Sequence, residues 1–387
     1  MAPLNGEPVA MSEAHTNDER SAPASQPSRR EAIRAGLLAG AVALGVPTVG
    51  TGTTPEWTAA VAAAKKEGKV VVNTFPGDGF GRALKGFTQA YPEIKLEHTQ
   101  LHSQNFAPRI LQERQANLFT WDVATIPTST AFQVLRPAGV WDPIRPAIIL
   151  PEARDDAGWD GGFDRGFSLA KDRALTYGFV ANRGGGITIN TDQVKEDVKS
   201  LTDLLNPKWR GKLLLPDVRV MGDAFWPMTS ARLNLGDDII KKLFVDQEPV
   251  LSRDTRQMAE FMVRGRYPIG LGINPLLLGQ FQRQGLGKSL KSLYFPEMDT
   301  VNFSSTLWLV NRAPHPNAAK VFINWLLTRD AQILWAKEVE TNSRRLGVEP
   351  GNPELVVPRG ARLFQVDSEE NLPEVVKTQD IAKAVIK

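Results

Sequence analysis

Hydrophobic and polar positions follow two alternating periods along this chain, and from about residue 55 onward the two take turns. Residues 56–67 carry Trp57, Ala60, Val61 and Ala64 on one helical face, and Gly68 suits the left-handed cap that ends such a helix. Residues 69–75, KVVVNTF, form a short β-branched apolar run, the pattern of a buried strand. The loop Pro76-Gly77-Asp78-Gly79 then opens a helix that ends near Tyr91-Pro92. Strand 93–100, helix 106–117 and strand 121–126 repeat the unit, and the third strand runs into the polar loop Pro127-Thr128-Ser129-Thr130. Residues 139–173 have little periodicity and predict a long connection. Further on, 201–215 reads as a short helix, a turn and a strand, 256–266 as a helix, and 267–274 (YPIGLGIN) as a buried strand. Strands and helices alternating at this spacing predict an α/β chain with mostly parallel sheets. At 387 residues the chain exceeds one core, so two domains are expected.

The stretch 306–332, TLWLVNRAPHPNAAKVFINWLLTRDAQ, is the most specific. Leu307, Trp308, Leu309 and Val310 predict a strand buried on both faces, and Pro316 suits the first position of a following helix. Ala318, Val321, Phe322, Trp325 and Leu326 make its inner stripe, leaving Asn317, Lys320 and Asn324 in water, and a second helix starts at Asp330. The run VNRAPHPNAAKVFINWLLTRDAQ resembles the late segment of the extracellular solute-binding proteins of bacterial ABC importers. It is most similar to the branch of ferric-iron, thiamine and related small-solute receptors, and more loosely to the sugar-binding branch. The resemblance extends from about residue 57 to about 348.

It implies a two-lobed type II periplasmic-binding fold, each lobe a mostly parallel sheet flanked by helices, with two crossovers forming a hinge. On that template 55–182 begins the first lobe, 187–295 the second, and 304–330 returns to the first. Residues 331–387 supply C-terminal helices and a tail to the second lobe. The implied function is capture of a small solute by hinge closure and its delivery, by a monomer, to a membrane permease and its ATPase. An iron or iron-chelate receptor is the alternative within the family. A secreted enzyme, or a receptor that presents its ligand to a sensor, is the alternative outside it.

Composition narrows this further. The formal net charge is +3, with no dense basic stripe interleaved with aromatics, so nucleic acid is not an expected partner. There is no Cys, which removes disulfides, thiolate catalysis and Cys-ligated zinc together. Ser28, Arg29 and Arg30 precede the Gly/Ala-rich run 36–50, an order that resembles a twin-arginine export signal. That run is shorter than the ~20 residues of a membrane span. Residues 1–50 are therefore expected to be a leader and signal handled by the twin-arginine machinery, and the working location is the periplasm.

Candidate ligand residues come from loops that open helices, where backbone N–H groups and the helix dipole favour a ligand's polar group. Asp78 lies in the first such loop, which lacks the spacing of a dinucleotide or P-loop motif, and Thr128 and Ser129 in the next. Each can equally cap its own helix. In the template Gly184-Gly185-Gly186 falls at the first crossing, as a hinge or as a loose surface turn, and Arg183 beside it faces the cleft as a clamp for an anion. Where relatives offer small hydroxyl residues to an anion, this chain has Met221, Gly222 and Asp223. Asp223 either meets a ligand ammonium, with Phe225 or Trp226 stacking, or caps a helix. Asn274 takes the position of a solute-binding Asn, but Pro275 and Leu276 stand where iron-binding relatives carry adjacent tyrosines. A small organic anion or zwitterion is the expected solute, with no metal and no cofactor.

Catalytic readings fall away on spacing. His98 and His102 are four apart but straddle a strand end, and no Glu follows His98, so a zincin motif fails. Gly166-Phe167-Ser168-Leu169-Ala170 only approaches a nucleophile elbow. His315 is structural in this reading, and the turn Asn342-Ser343-Arg344-Arg345 is a solvated surface.

Overall fold

The computed structural model describes residues 54–219, 225–303, 305–358, 361 and 363–387; the expected export signal and Asp223 lie outside them. In chain order come α1 (Pro55–Glu67), β1 (Lys69–Thr74), α2 (Asp78–Ala90), β2 (Lys95–Gln100), α3 (Ser103–Gln115), β3 (Val123–Thr125), β4 (Trp141–Asp142) and β5 (Thr176–Gly178). The middle of the chain forms β6 (Asn182–Gly184), β7 (Ile187–Asn190), β8 (Leu213–Pro216), α4 (Phe225–Leu235), β9 (Val250–Ser252), α5 (Thr255–Val263), β10 (Ile269–Leu271), α6 (Pro275–Arg283) and β11 (Leu290–Leu293). It closes with β12 (Thr300–Asn302), β13 (Thr306–Val310), α7 (Pro316–Leu326), α8 (Arg329–Val339), β14 (Phe364–Gln365) and α9 (Leu372–Val385). Short helical turns fill several connections.

Two large sheets result, each with its own core, besides a small three-stranded one. The first has the order β2-β1-β3-β13-β4, with β5 also on β13; the second has the order β11-β7-β10-β8-β9. Parallel pairs (β1 with β2 and β3, β8 with β9 and β10) sit beside antiparallel ones. The antiparallel pairs belong to β13 and β7, strands that carry the chain back into one lobe or on into the other. Three successive valines stand in β1 because both faces are covered: Val70 and Val72 pack with α1 and α2, while Val71 packs with Phe106 and Trp121. β13 divides in the same way, Leu307 to one side and Trp308 and Val310 to the other. In the second lobe Leu213 and Leu215 face one cluster and Leu214 another.

The helix boundaries follow local chemistry. Thr54 caps α1 by accepting from the Trp57 N–H at 3.1 Å, and Gly68 ends it with φ +73°. Pro316 stands at the start of α7, as its missing N–H favours. α9 buries Val375 and Ala382 against the second core.

Three expectations are corrected. Helix α8, expected on the second lobe, packs on α2 in the first, with Trp335 edge-on to Phe80 at 5.4 Å. Two glycines of α2 permit that approach: a Cβ on Gly79 would lie 2.1 Å from the Glu338 carbonyl, and one on Gly86 would meet Leu334 at 2.5 Å. Asn324, expected in water, is fully buried. It accepts from the N–H groups of Ile149 and Leu150, both at 2.8 Å, and donates to the Ala147 carbonyl at 2.7 Å, so one polar side chain satisfies a whole turn. The segment 342–345, expected as solvated surface, is also buried: Arg344 is 1% exposed and donates to the carbonyls of Gly178, Asp160 and Gly162 at 2.8–2.9 Å.

Candidate functional site

Between the lobes the chain passes through a small sheet of order β14-β12-β6, in which Val301 of β12 pairs with Arg183 of β6. Strand β12 alternates strictly. Val301 packs into a dry cluster with Leu169 and Phe303, while Thr300 and Asn302 line a cavity of about 250 Å³.

Arg183, the glycines after it, Trp226 of α4, Asn274 before α6, Tyr294 and Leu355 complete the main walls of that cavity. The glycine run is no loose turn. Gly185 has φ +89°, and a Cβ there would lie 2.1 Å from the Met298 carbonyl, so the two crossings touch backbone to backbone. Asn274 accepts from the Leu277 N–H at 3.1 Å and thereby starts α6 at the cavity edge.

Arg183 is half-buried and already engaged. Its Nε donates to both carboxylate oxygens of Asp299, at 2.7 and 3.0 Å, and its Nη2 donates to Oδ2 of the same residue. The guanidinium carbon also lies 4.2 Å from the centroid of the Tyr294 ring. These hydrogen bonds hold the Arg183 pKa above its ordinary value. Burial raises that of the Tyr294 phenol, whose O–H donates to the Glu354 carbonyl at 3.1 Å. Among the described residues, Arg183 is the one formal charge in the cavity wall; no carboxylate or His lines it.

The structure thus gathers Arg183, Trp226 and Asn274 around one cavity. Asp78, Thr128 and Ser129 are not part of its wall. Asp78 is exposed at the first position of α2 and caps nothing through its side chain, while the loop before it is tied down by Gln100, which accepts from the Gly77 N–H at 2.7 Å. Thr128 is 2% exposed at a short helical turn beside Ser129. Asp299, Tyr294, Thr300 and Asn302 are not among the residues expected from sequence; the alternation in Thr300-Val301-Asn302 is the usable signal.

A wider space of about 600 Å³ adjoins the first at Pro275. It lies between α6, with Arg283, and the end of α8, with Lys337 and Glu340, and is bounded by 351–354. Arg283 and Glu340 face each other across it at 3.4 Å, one from each lobe.

His315, expected to be structural, has a structural partner, and so does His98. His98 Nε2 meets Thr74 Oγ1 at 2.7 Å, and burial lowers its pKa. His315 Nδ1 meets the fully buried Asp122 at 2.9 Å; desolvation raises that carboxyl although it also accepts from the Val71 N–H. Among the described residues no group of three or more His, Cys, Asp or Glu is placed to hold a metal ion.

The model of the family described as bacterial extracellular solute-binding proteins matches residues 69–338. The chain belongs to that family. Its work is therefore solute binding. No curated protein sequence matches the chain. Similar solved structures share the fold at low identity. The iron-bound HitA from Pseudomonas aeruginosa is 17% identical with a TM-score of 0.62, covering 82% of this chain and 99% of its own. The Trichodesmium IdiA (FutA) in complex with iron and citrate is 18% identical with a TM-score of 0.63, covering 82% and 99%. AfuA from Actinobacillus pleuropneumoniae, with fructose-6-phosphate bound, is 19% identical with a TM-score of 0.57, covering 81% and 98%.

Proposed function

We propose that this protein is the periplasmic receptor of an ABC importer, which captures a small organic anion or zwitterion and hands it to a membrane permease and its ATPase. The carrying observation is the donor that the cavity offers: Arg183 is in the wall, its partner Asp299 is not, and among the described residues no carboxylate lines the cavity. Hinge closure is the mechanism. β6 and β12 join the lobes and also form one wall, so a solute that touches this sheet and both lobes stabilises the closed arrangement. The contacts Arg283–Glu340 and Tyr294–Glu354 would be made on closing and broken on opening. Export by the twin-arginine route, with the protein acting as a monomer, completes the reading. Arg29→Lys with Arg30→Lys should then leave precursor in the cytoplasm, as read by fractionation.

The iron-bound relatives favour a second reading. A bare ferric ion needs anionic ligands that the described residues of this wall do not offer, whereas a chelate brings its own oxygens and presents an anionic surface to Arg183. Native mass spectrometry of protein purified without refolding separates the two. Release of a stoichiometric organic acid or amino acid that rebinds unchanged is the expected result. Release of iron with a chelator establishes the second reading, and conversion of the rebound compound would make the protein an enzyme.

A further inference from the structure

We propose that the cavity selects solutes carrying a single anionic group, such as a monocarboxylate or a zwitterionic amino acid, and rejects dianions such as dicarboxylates and phosphate esters. This deepens the anion reading above and rests on it. The selecting residue is Asp299, which the sequence reading passed over. It occupies the Nε and Nη2 side of the Arg183 guanidinium, one of the two edges on which this group can grip a phosphate or carboxylate in two-pronged fashion. A ligand is left with the other edge, the two Nη1 hydrogens and the second Nη2 hydrogen.

Electrostatics points the same way. The Asp299 side chain is 8% exposed, so its charge is poorly screened, and together with Arg183 it forms a unit of zero net charge. A first ligand anion at Nη1 lies nearer the cation than the carboxylate behind it. A second negative charge finds no further cation among the described residues of the wall. The Arg183–Asp299 pair has no net charge left to offset it, and taking a second charge out of water without a partner costs enough to weaken binding tenfold or more. The rest of the wall is neutral, with Thr188, Thr300 and Asn302 to hydrogen-bond and Trp226 and Ile273 to cover an organic body. A volume of about 250 Å³ leaves room for about eight water-sized groups at ~30 Å³ each, the size of a short organic acid.

The test is calorimetric titration of the mature protein with lactate, propionate, benzoate, alanine and glutamine against succinate, malonate and glycerol phosphate, with glucose and ferric citrate as controls. The expected result is that at least one singly anionic solute binds, at least tenfold tighter than any dianion, and that Asp299→Asn narrows this ratio at least tenfold. A dianion that binds the wild type as tightly overturns the inference while leaving the anion reading intact. Binding of no singly anionic solute also overturns it, and if glucose alone then binds, the anion reading falls as well. Should Asp299→Asn fail to fold, the wild-type ratio decides without it.

Discussion

The crossing strand β12 separates two environments in which charged groups are treated differently. On the cavity side Arg183 and Asp299 form a bidentate pair, partly wet, with 22% and 8% of their side chains exposed. On the other side, around Phe303, Arg344 and Asp367 are buried and lean on backbone. Arg344 lies with its guanidinium carbon 5.1 Å from the Phe303 ring centroid and takes three carbonyls as partners, while Asp160 gives its carboxylate to Arg165 and only its carbonyl to Arg344. Asp367 accepts from the Phe303 N–H at 2.7 Å. A pair of opposite charges can be undone from either end and can share a donor with a ligand. A charge satisfied by fixed carbonyls cannot, so the dry side holds segments together and the wet side is left for the solute.

Replacing Arg344 should have the largest effect. Arg344→Met keeps much of the stem but strands three carbonyls that meet at one point, and desolvation already holds this guanidinium below its ordinary pKa. We expect a loss of about 3–5 kcal/mol, the range for breaking a buried charged network, in urea unfolding followed by tryptophan fluorescence. No second substitution at a carboxylate should restore it. Arg183→Ala should cost less, about 2–3 kcal/mol, because its pair is partly exposed. Most of that loss comes from the stranded Asp299, so Arg183→Ala with Asp299→Ala should recover at least half of it while anion binding stays lost. Equal recovery at both arginines, or at neither, would erase the contrast between the two sides.

Much of this architecture was readable from the chain. The runs at 69–75 and 306–310 are apolar at successive positions because both faces of β1 and β13 are covered, and no other arrangement tolerates that pattern in water. Arg183 was reachable because a resemblance placed it at a crossing. Its partner was not, since Asp299 is one acidic residue in an ordinary loop and its meaning depends on a residue 116 positions away. Asn324 and Arg344 misled for a shared reason. Periodicity assigns polar residues to water, and only tertiary structure shows that the backbone of 147–150, or of 160, 162 and 178, needs a donor or acceptor just there. The loops at Asp78 and Thr128 obeyed a sound local rule, but helix starts outnumber binding sites, and the rule has no term for which of them meet across a cleft.

The smallest expected effect is also the most diagnostic of the dry side. Complete burial pushes the Asp367 carboxyl up to about 7, with only its hydrogen bonds to backbone opposing the shift, and its Oδ1 has no partner. An unfolded Asp titrates near 3.9, so between about pH 4 and 7 the native state holds the proton more tightly than the unfolded chain. The stability this contributes is therefore complete below about pH 4, falls as pH rises through that window, and is gone above about 7. Asp367→Asn keeps an acceptor for the Phe303 N–H and cannot ionise. Linkage sets a ceiling of roughly 4 kcal/mol on its advantage, and relaxation around the buried carboxylate should reduce that to about 2 kcal/mol at pH 8, with little difference at pH 4.5. Urea unfolding of both proteins at pH 4.5, 6 and 8 checks it: the gap should open as pH rises. Parallel curves would mean that water or a counter-charge reaches Asp367, and the side of β12 that carries Phe303 would then be no drier than the side that carries Arg183.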